Sequence, residues 1–287
     1  MWNGAASVAT LPSDCRAALN FMLSLEFAQI SDIGRVREGN EDYMGLVCPD
    51  APDCAGVLGW LFVVADGVGG HEKGEVASRT AVEAIVDNFR TVRKDEPFLG
   101  LLRRLVQGAN ARVFRTALDD GPAGAGMATT VVACALRYDR VVIAHVGDSR
   151  CYLIRGEDVE VLTRDHTLAQ EHVRLGLLSQ EEASEAENRH MLSRSLGVQL
   201  TVDVEIQEHT LIPGDVLLLC SDGLHGALKN ADLVNILAPG ADLQEAAKRL
   251  VALANERDGS DNATAQLIRV KSVERVGMYR GRPYKIF

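Results

Sequence analysis

Four aspartates stand where the chain stops or starts being apolar. Asp66 follows the run 60–65, in Asp66-Gly67-Val68-Gly69-Gly70. Asp148 follows 141–146, in Gly147-Asp148-Ser149-Arg150. Asp222 follows 216–220, in Ser221-Asp222-Gly223. Asp261 precedes 263–270, in Gly259-Ser260-Asp261-Asn262. An acid at the end of a buried strand is held by the sheet, and a neighbouring glycine lets a bound group come close to the backbone. Carboxylates brought together raise one another's pKa unless a cation sits among them. An all-oxygen donor set suits hard ions, Mn²⁺ or Mg²⁺, better than zinc or copper. Two such ions sharing a carboxylate, about 3.5–4 Å apart, acidify a bridging water and clamp a phosphate. Any single Asp-Gly after a strand is by default a turn; the weight lies in four acids, each beside a buried run.

A fifth segment, Arg37-Glu38-Gly39-Asn40-Glu41-Asp42, precedes the strand 43–47. Elsewhere it would read as a charged surface loop. Here Glu41 and Asp42 can add carboxylates around the ions, directly or through water. Arg37 offers a planar fork suited to phosphate oxygens.

The elements that must position these groups alternate along the chain. Strands are expected at 24–29, 42–47 and 60–65. Helical spacing follows over 75–92, with Val76, Thr80, Ala84, Ile85, Phe89 and Val92 on one face. A second helix over 98–118 carries Leu101, Leu102, Leu105, Ala109, Val113 and Leu118. Strands at 129–136, 141–146, 151–154 and 159–162, separated by turn residues, read as one antiparallel meander. Residues 163–200 are polar and weakly periodic, with short helical pieces at most. Strands resume at 202–208 and 215–220, helices at 233–237 and 243–254, and a last strand at 263–270. This order predicts an α+β fold with mainly antiparallel strands in two stacked sheets. Two successive helices cover one sheet face, and the closing helix covers the other. Residues 1–22 read as a flexible extension, 23–270 as one domain, and 271–287 as a tail.

The 287 residues are 47% hydrophobic and 24% charged, enough for a packed core and too apolar for a disordered chain. No run approaches the roughly 18–20 apolar residues of a membrane span, and no secretory signal pattern opens the chain. The net charge of −10 argues against nucleic acid or an anionic membrane as partner. Six cysteines occur without a CxxC. Cys134, Cys151 and Cys220 lie in apolar runs and read as reduced, buried thiols of a cytoplasmic protein.

Together these motifs carry a resemblance. They are Ser31-Asp32-Ile33-Gly34 with Arg37 and Asn40-Glu41-Asp42, then Asp66 through His71, Gly126-Met127-Ala128-Thr129-Thr130, Gly147 through Arg150, Ser221-Asp222-Gly223-Leu224 and Asp261-Asn262. In this order they resemble the PP2C (PPM) family of metal-dependent serine/threonine protein phosphatases, most of all its compact bacterial members. The similarity spans about residues 23–270. It implies two stacked antiparallel sheets flanked by helices, with a metal cleft at one end. By resemblance Asp66 bridges two ions and Asp222 and Asp261 complete the first site. The Gly67 carbonyl binds the second, with Glu41 and Asp42 near it through water. Asp148 with Asp222 holds a third, Arg37 grips the substrate phosphate, and residues about 163–195 form the flap beside the cleft. The implied partners are phosphorylated proteins and a cognate Ser/Thr kinase that the enzyme opposes, and the expected state is a monomer.

Three positions depart from the family pattern. Val68 stands where animal members often carry a histidine proposed as general acid; His71 nearby reads as loop packing, and a water on the metals becomes the proton source. Ala128 replaces a common glycine. His225 follows the Asp222 motif without an assigned role. The expected chemistry is one-step, in-line attack by water, with no phosphoenzyme, since no cysteine lies in a phosphate-cradling loop; Cys220 continues an apolar run. The rivals are a two-metal nuclease, disfavoured by the acidic balance, and a metal-free binding module, disfavoured by the intact acids.

Overall fold

The strand Trp60–Val68 shows how the layers are built. Its odd residues Leu61, Val63 and Ala65 pack with helices, while its even residues Trp60, Phe62 and Val64 face a second sheet. A strand buried on both faces reads as a continuous apolar run, which is how this one appears in the sequence. The structure is a computed structural model that describes residues 23–49, 59–68, 72–92, 96–186, 188–279 and 282–285. The expected extension at 1–22, His71, Cys15 and Cys54 lie outside the described residues.

In chain order the strands and helices are β1 (Leu23–Asp32), β2 (Asp42–Val47), β3 (Trp60–Val68), α1 (Glu72–Arg90), α2 (Phe98–Asp119), β4 (Ala128–Thr129), β5 (Val131–Arg137), β6 (Arg140–Val146), β7 (Arg150–Arg155) and β8 (Asp158–Val161). Two short helices follow, α3 (Leu168–Arg174) and α4 (Gln180–Glu185), then β9 (Glu205–Thr210), β10 (Val216–Cys220), α5 (Asp222–His225), α6 (Asn230–Ile236), α7 (Leu243–Arg257), β11 (Ala263–Val273), β12 (Val276–Tyr279) and β13 (Arg282–Lys285). One sheet has the order β2-β3-β5-β6-β9, with β4 paired to β3; the other is β1-β11-β10-β7-β8. All their pairings are antiparallel. Helices α1 and α2 cover the first sheet. Helices α6 and α7 cover the second. The α+β sandwich expected from the order of elements is the architecture found.

The inter-sheet layer holds Phe62, Leu136, Ile143 and Leu217, all with at most 1% exposure. Burying each such side chain contributes about 1.5–3 kcal/mol. Cys134 and Cys151 meet in this layer with sulfurs 3.6 Å apart; they and Cys220 are buried and free, as expected.

Three expectations change. The stretch 129–162 is not one meander: β5 pairs β6 and β7 pairs β8, but β7 joins β10 in the opposite sheet. The chain crosses between sheets at Gly147-Asp148-Ser149, which turn residues alone do not reveal. Second, Ala84, Ile85 and Phe89 of α1 are buried as expected, but the buried face also includes Ala77 and Ala81, while Val76 is exposed. Small residues let this helix settle close to the sheet, so the larger Val76 is a poor guide to the inward face. Leu118 of α2 is likewise exposed. Third, β3 does not stop before Asp66 but runs through Asp66 and Gly67 to Val68. At the C-terminal end, β11 extends to Val273 and β12 pairs with β13 as a hairpin, within the segment read as a tail.

Candidate metal centre

Antiparallel pairing gathers the acids. The start of each strand lies beside the end of its neighbour, so an acid at one strand's start meets an acid at the next strand's end. Asp42 opens β2 and stands opposite Asp66 near the end of β3. Asp148 sits in the crossing between β6 and β7. Asp222 follows β10, and Asp261 precedes β11, its hydrogen-bonded neighbour. The five aspartates act on one another. The Asp66 carboxyl is pushed well above the usual carboxylate range by burial, and further by the charges of Asp42, Asp222, Asp148 and Asp261. Burial raises Asp42 to about 7, against hydrogen bonds from Thr264 and Ser221 that pull it down. Burial, with Asp222 and Asp165 next, raises Asp148 to about 8. Two buried carboxylate oxygens, Asp42 Oδ1 and Asp222 Oδ1, have no hydrogen-bond partner. A buried acceptor left unpaired costs about 1–3 kcal/mol. A hard divalent cation answers both defects: it supplies a partner for each oxygen and charge for the whole set. The donor chemistry therefore fits Mn²⁺ or Mg²⁺.

Asp66 is strapped at its backbone. Its carbonyl accepts from the Thr130 N–H and from Thr129 Oγ1, both at 2.8 Å, and its own N–H donates to Thr130 Oγ1 at 3.0 Å. Thr130 Oγ1 also lies 2.7 Å from Ser149 Oγ. Gly67 must be glycine: a Cβ there would collide with the carbonyl of Gly74, in the first turn of α1. A Cβ on Gly74 would in turn stand 2.5 Å from Glu41 Oε2 and 2.8 Å from the Gly67 carbonyl. The Glu41 carboxylate and the Gly67 carbonyl thus both lie against Gly74, and the Glu41 carbonyl accepts from Gly67 N–H at 3.1 Å and Ser78 Oγ at 2.6 Å. Val68 and Ala128, two of the three departures from the family pattern, are register partners across β3 and β4.

Arg37 is delivered by a second set of ties. Asn262 donates to the carbonyls of Ile33 (2.9 Å) and Gly39 (3.1 Å) and accepts from the Glu41 N–H at 2.8 Å. Arg35 N–H donates to the Gly259 carbonyl at 2.7 Å. The loop 33–41 is thereby laid across the turn 259–262, and Arg37 Nη2 reaches Asp261 Oδ2 at 2.7 Å. That contact raises the Arg37 pKa, helped by the charges of Glu41 and Asp66.

Beside Asp148, the His225 Nε2–H donates to the Asp148 carbonyl at 3.0 Å, and burial lowers His225 to about 4, so the ring is neutral. Arg150 grips Asp165 with two bonds of 2.9 and 2.7 Å. This ion pair joins the crossing turn to the start of the 163–195 segment, whose helices α3 and α4 are the short pieces expected.

Every acid singled out from sequence reaches this end of the sandwich. Sequence reasoning did not single out Gly74, Ser78, Thr129, Thr130, Ser149, Asn262 or the Arg150–Asp165 pair as supports. Several stood inside motifs already quoted; the signal was the paired hydroxyls Thr129-Thr130 and the asparagine next to Asp261. Gly74 carried no signal of its own.

His145, His166 and Glu205 form another group whose ligand atoms lie within 4.8 Å of one another. The two imidazoles stack with centroids 4.8 Å apart. His145 Nε2 donates to the Arg164 carbonyl at 2.9 Å. His166 Nδ1 accepts from the Gly147 N–H at 3.1 Å, which leaves its proton on Nε2, facing Glu205 Oε2 at 3.3 Å. Arg164 Nη2 donates to that same oxygen at 3.1 Å, and Arg194 Nη1 lies 3.3 Å from His166 Nε2. His145 Nδ1 is buried without a hydrogen-bond partner. A cation would have to displace a proton fixed by the backbone and stand between two guanidinium groups, so this group is built for hydrogen bonding.

A family model described as protein phosphatase 2C matches residues 41–267. The serine/threonine phosphatase stp of Listeria innocua is 36% identical over 255 residues, covering 88% of this chain and 96% of that protein. Protein phosphatase PhpP of Streptococcus pneumoniae is 30% identical over 252 residues, covering 85% and 97%. Among solved structures, the serine/threonine phosphatase of S. agalactiae superposes with a TM-score of 0.78 at 32% identity, over 86% of this chain and 100% of that one. The catalytic domain of the serine/threonine phosphatase PstP in complex with 2 manganese ions gives 0.71 at 31% identity, over 86% and 99%.

Proposed function

Since the chain belongs to the protein phosphatase 2C family, we propose that its acid cluster is a metal centre in which Asp66, Gly67, Asp222, Asp261, Asp148, Asp42 and Glu41 hold divalent cations and Arg37 receives the substrate phosphate. The chain is a metal-dependent serine/threonine protein phosphatase that hydrolyses phosphoserine and phosphothreonine on proteins. In this reading Asp66, Asp222 and Asp261 would hold one ion, and Asp66 with the Gly67 carbonyl, Asp42 and Glu41 nearby, a second. Asp148 and Asp222 take a third. The ions are Mn²⁺ or Mg²⁺.

When bound, the cations acidify a water for in-line attack on phosphorus and neutralise phosphate charge. The chain's own part is to hold geometry and charge. Thr129 and Thr130 fix the Asp66 backbone on both sides and so set where its carboxylate starts. Ser221 Oγ donates to Asp42 Oδ2 at 2.7 Å, which leaves Asp42 Oδ1 free to accept from water in the cleft. The Arg37 fork offers two N–H groups to equatorial phosphate oxygens as charge builds there. Val68 has no proton to give, so the departing Ser or Thr oxygen takes its proton from water.

The observation that carries this reading is the pair of orphaned carboxylate oxygens inside a set of mutually repelling acids. The test is turnover of a phosphothreonine peptide with Mn²⁺. Asp66→Asn and Asp222→Asn should each lose at least about 10³-fold in kcat; near-wild-type turnover in either sinks the reading. We further propose that residues 23–270 form the phosphatase domain with its flap at 163–195, and that the protein is a cytoplasmic monomer opposing a cognate Ser/Thr kinase. Among the described residues no helix is long and apolar enough to cross a membrane.

A further inference from the structure

Asp261 differs from its neighbours in the cluster. Asp42 and Asp222 each keep an unpartnered oxygen, whereas both Asp261 oxygens are taken. Oδ1 accepts the Asn262 N–H at 2.8 Å, and Oδ2 accepts Arg37 Nη2 at 2.7 Å. The arginine arrives there by construction. Asn262 ties down Ile33 and Gly39, Arg35 bonds Gly259, and Gly34 adopts φ +81° where a Cβ would collide with the Asp261 carbonyl. Arg37 also feels the charges of Glu41 and Asp66. It is the one cationic side chain, among the described residues, that hydrogen-bonds to any of the five clustered aspartates.

We propose that Arg37 is a built-in counter-ion that competes with the divalent cation for Asp261, so that metal binding and phosphate binding are coupled through this one carboxylate. A guanidinium 2.7 Å from a ligand oxygen draws electron density from it and opposes a second positive charge beside it. A cation that takes Asp261 weakens the hold on Arg37 and leaves its fork free for phosphate. By linkage, phosphate that takes Arg37 strengthens the hold of Asp261 on the cation. Arg37 therefore makes metal and phosphate binding mutually reinforcing, beyond its contact with substrate. The inference rests on the metal centre proposed above.

The experiment is titration calorimetry of the full chain with Mn²⁺ alone, for wild type, Arg37→Met and Arg37→Lys, each first shown by its thermal unfolding to be folded. The pair is partly exposed, 45% and 33% at the two side chains, so screening keeps the effect modest. Arg37→Met should bind its tightest Mn²⁺ about three- to fivefold better than wild type, with the gain shrinking as salt rises. Arg37→Lys, which keeps the charge, should stay near wild type. Arg37→Met should nevertheless turn over a phosphopeptide more slowly with a raised KM, because the phosphate contact is gone. Wild type that binds no Mn²⁺ overturns the metal centre itself. Wild type that binds, with Arg37→Met equal or weaker, overturns the competition alone. An equal gain in Arg37→Met and Arg37→Lys also overturns it, since the cause would then be loop packing and not charge.

Discussion

Two groups of side chains in this molecule have the residue types of a metal site, and they solve opposite electrostatic problems. At the end of the sandwich, five aspartates crowd together with two oxygens unpaired, and among the described residues Arg37 is the one arginine that hydrogen-bonds to their carboxylates. At the base of the 163–195 segment, two histidines and one glutamate are already balanced by Arg164 and Arg194. Ligand type does not separate the two. Proton placement and counter-charge do: the first group lacks positive charge, while the second has its protons directed by a backbone N–H and a backbone carbonyl. A cluster asks for a cation when its own neighbours leave it unsatisfied.

The widest separation should come from paired substitutions. Asp66→Asn should abolish activity, whereas Glu205→Gln should keep kcat within about threefold and leave the calorimetric Mn²⁺ stoichiometry unchanged. If Glu205→Gln lost a bound ion, the contrast between the groups would fail.

The next effect is on stability without metal. Asp148→Asn keeps shape and removes a charge whose folded pKa stands near 8. In chelator at pH 8.5 it should unfold at higher temperature than wild type, by about 2 kcal/mol in stability. With saturating Mn²⁺ the advantage should shrink or reverse, because the ligand is missing. Differential scanning calorimetry reads both.

The buried carboxylates and the buried histidines should respond to pH in opposite directions. Asp42 and Asp148 have folded pKa values of about 7 and 8 against 3.8 in the unfolded chain. The folded state therefore holds their protons more tightly, and this contribution is full below about pH 4 and lost as pH rises through 7–8. His166 is lowered to about 4 from 6.5. Its contribution is full above 6.5 and lost as pH falls toward 4. Metal-free protein should therefore lose stability at both ends, and Mn²⁺ should rescue the alkaline side only. Rescue on the acid side would place the cation at the histidines.

The smallest effect expected is at the Gly147 clamp. His166→Ala loses the acceptor for a buried N–H, at about 1–2 kcal/mol. His166→Asn, whose carbonyl oxygen can stand in for Nδ1, should recover part of that in a denaturant titration, while changing turnover little.

Much of the centre was legible because its chemistry is written in local order. Asp66, Asp148, Asp222 and Asp261 sit beside apolar runs, and a strand-end acid with glycine next to it is visible without knowing which strands pair. The continuous apolar run of β3, the two long helices and the polar 163–200 stretch were legible for the same reason, since period and composition are properties of neighbours in sequence. The face of α1 was legible only in part, through Ala84, Ile85 and Phe89, because alanine reports burial weakly and Ala77 and Ala81 gain their meaning only from the sheet they touch. The single meander failed because nothing in the turn at Gly147-Asp148-Ser149 says that the strand after it changes sheets.

Residue order by itself determined which groups could bind a cation, that they stand at rigid strand ends, and that the chain would form a two-sheet α+β sandwich. Only the tertiary structure decided that Asp261 shares its carboxylate with Arg37, that Gly67 and Gly74 touch through their backbones, and that the histidine group is already charge-balanced. These are contacts between segments up to 224 positions apart. Their energy depends on distance and burial, which local patterns do not encode and which exist only once the sheets have closed on one another.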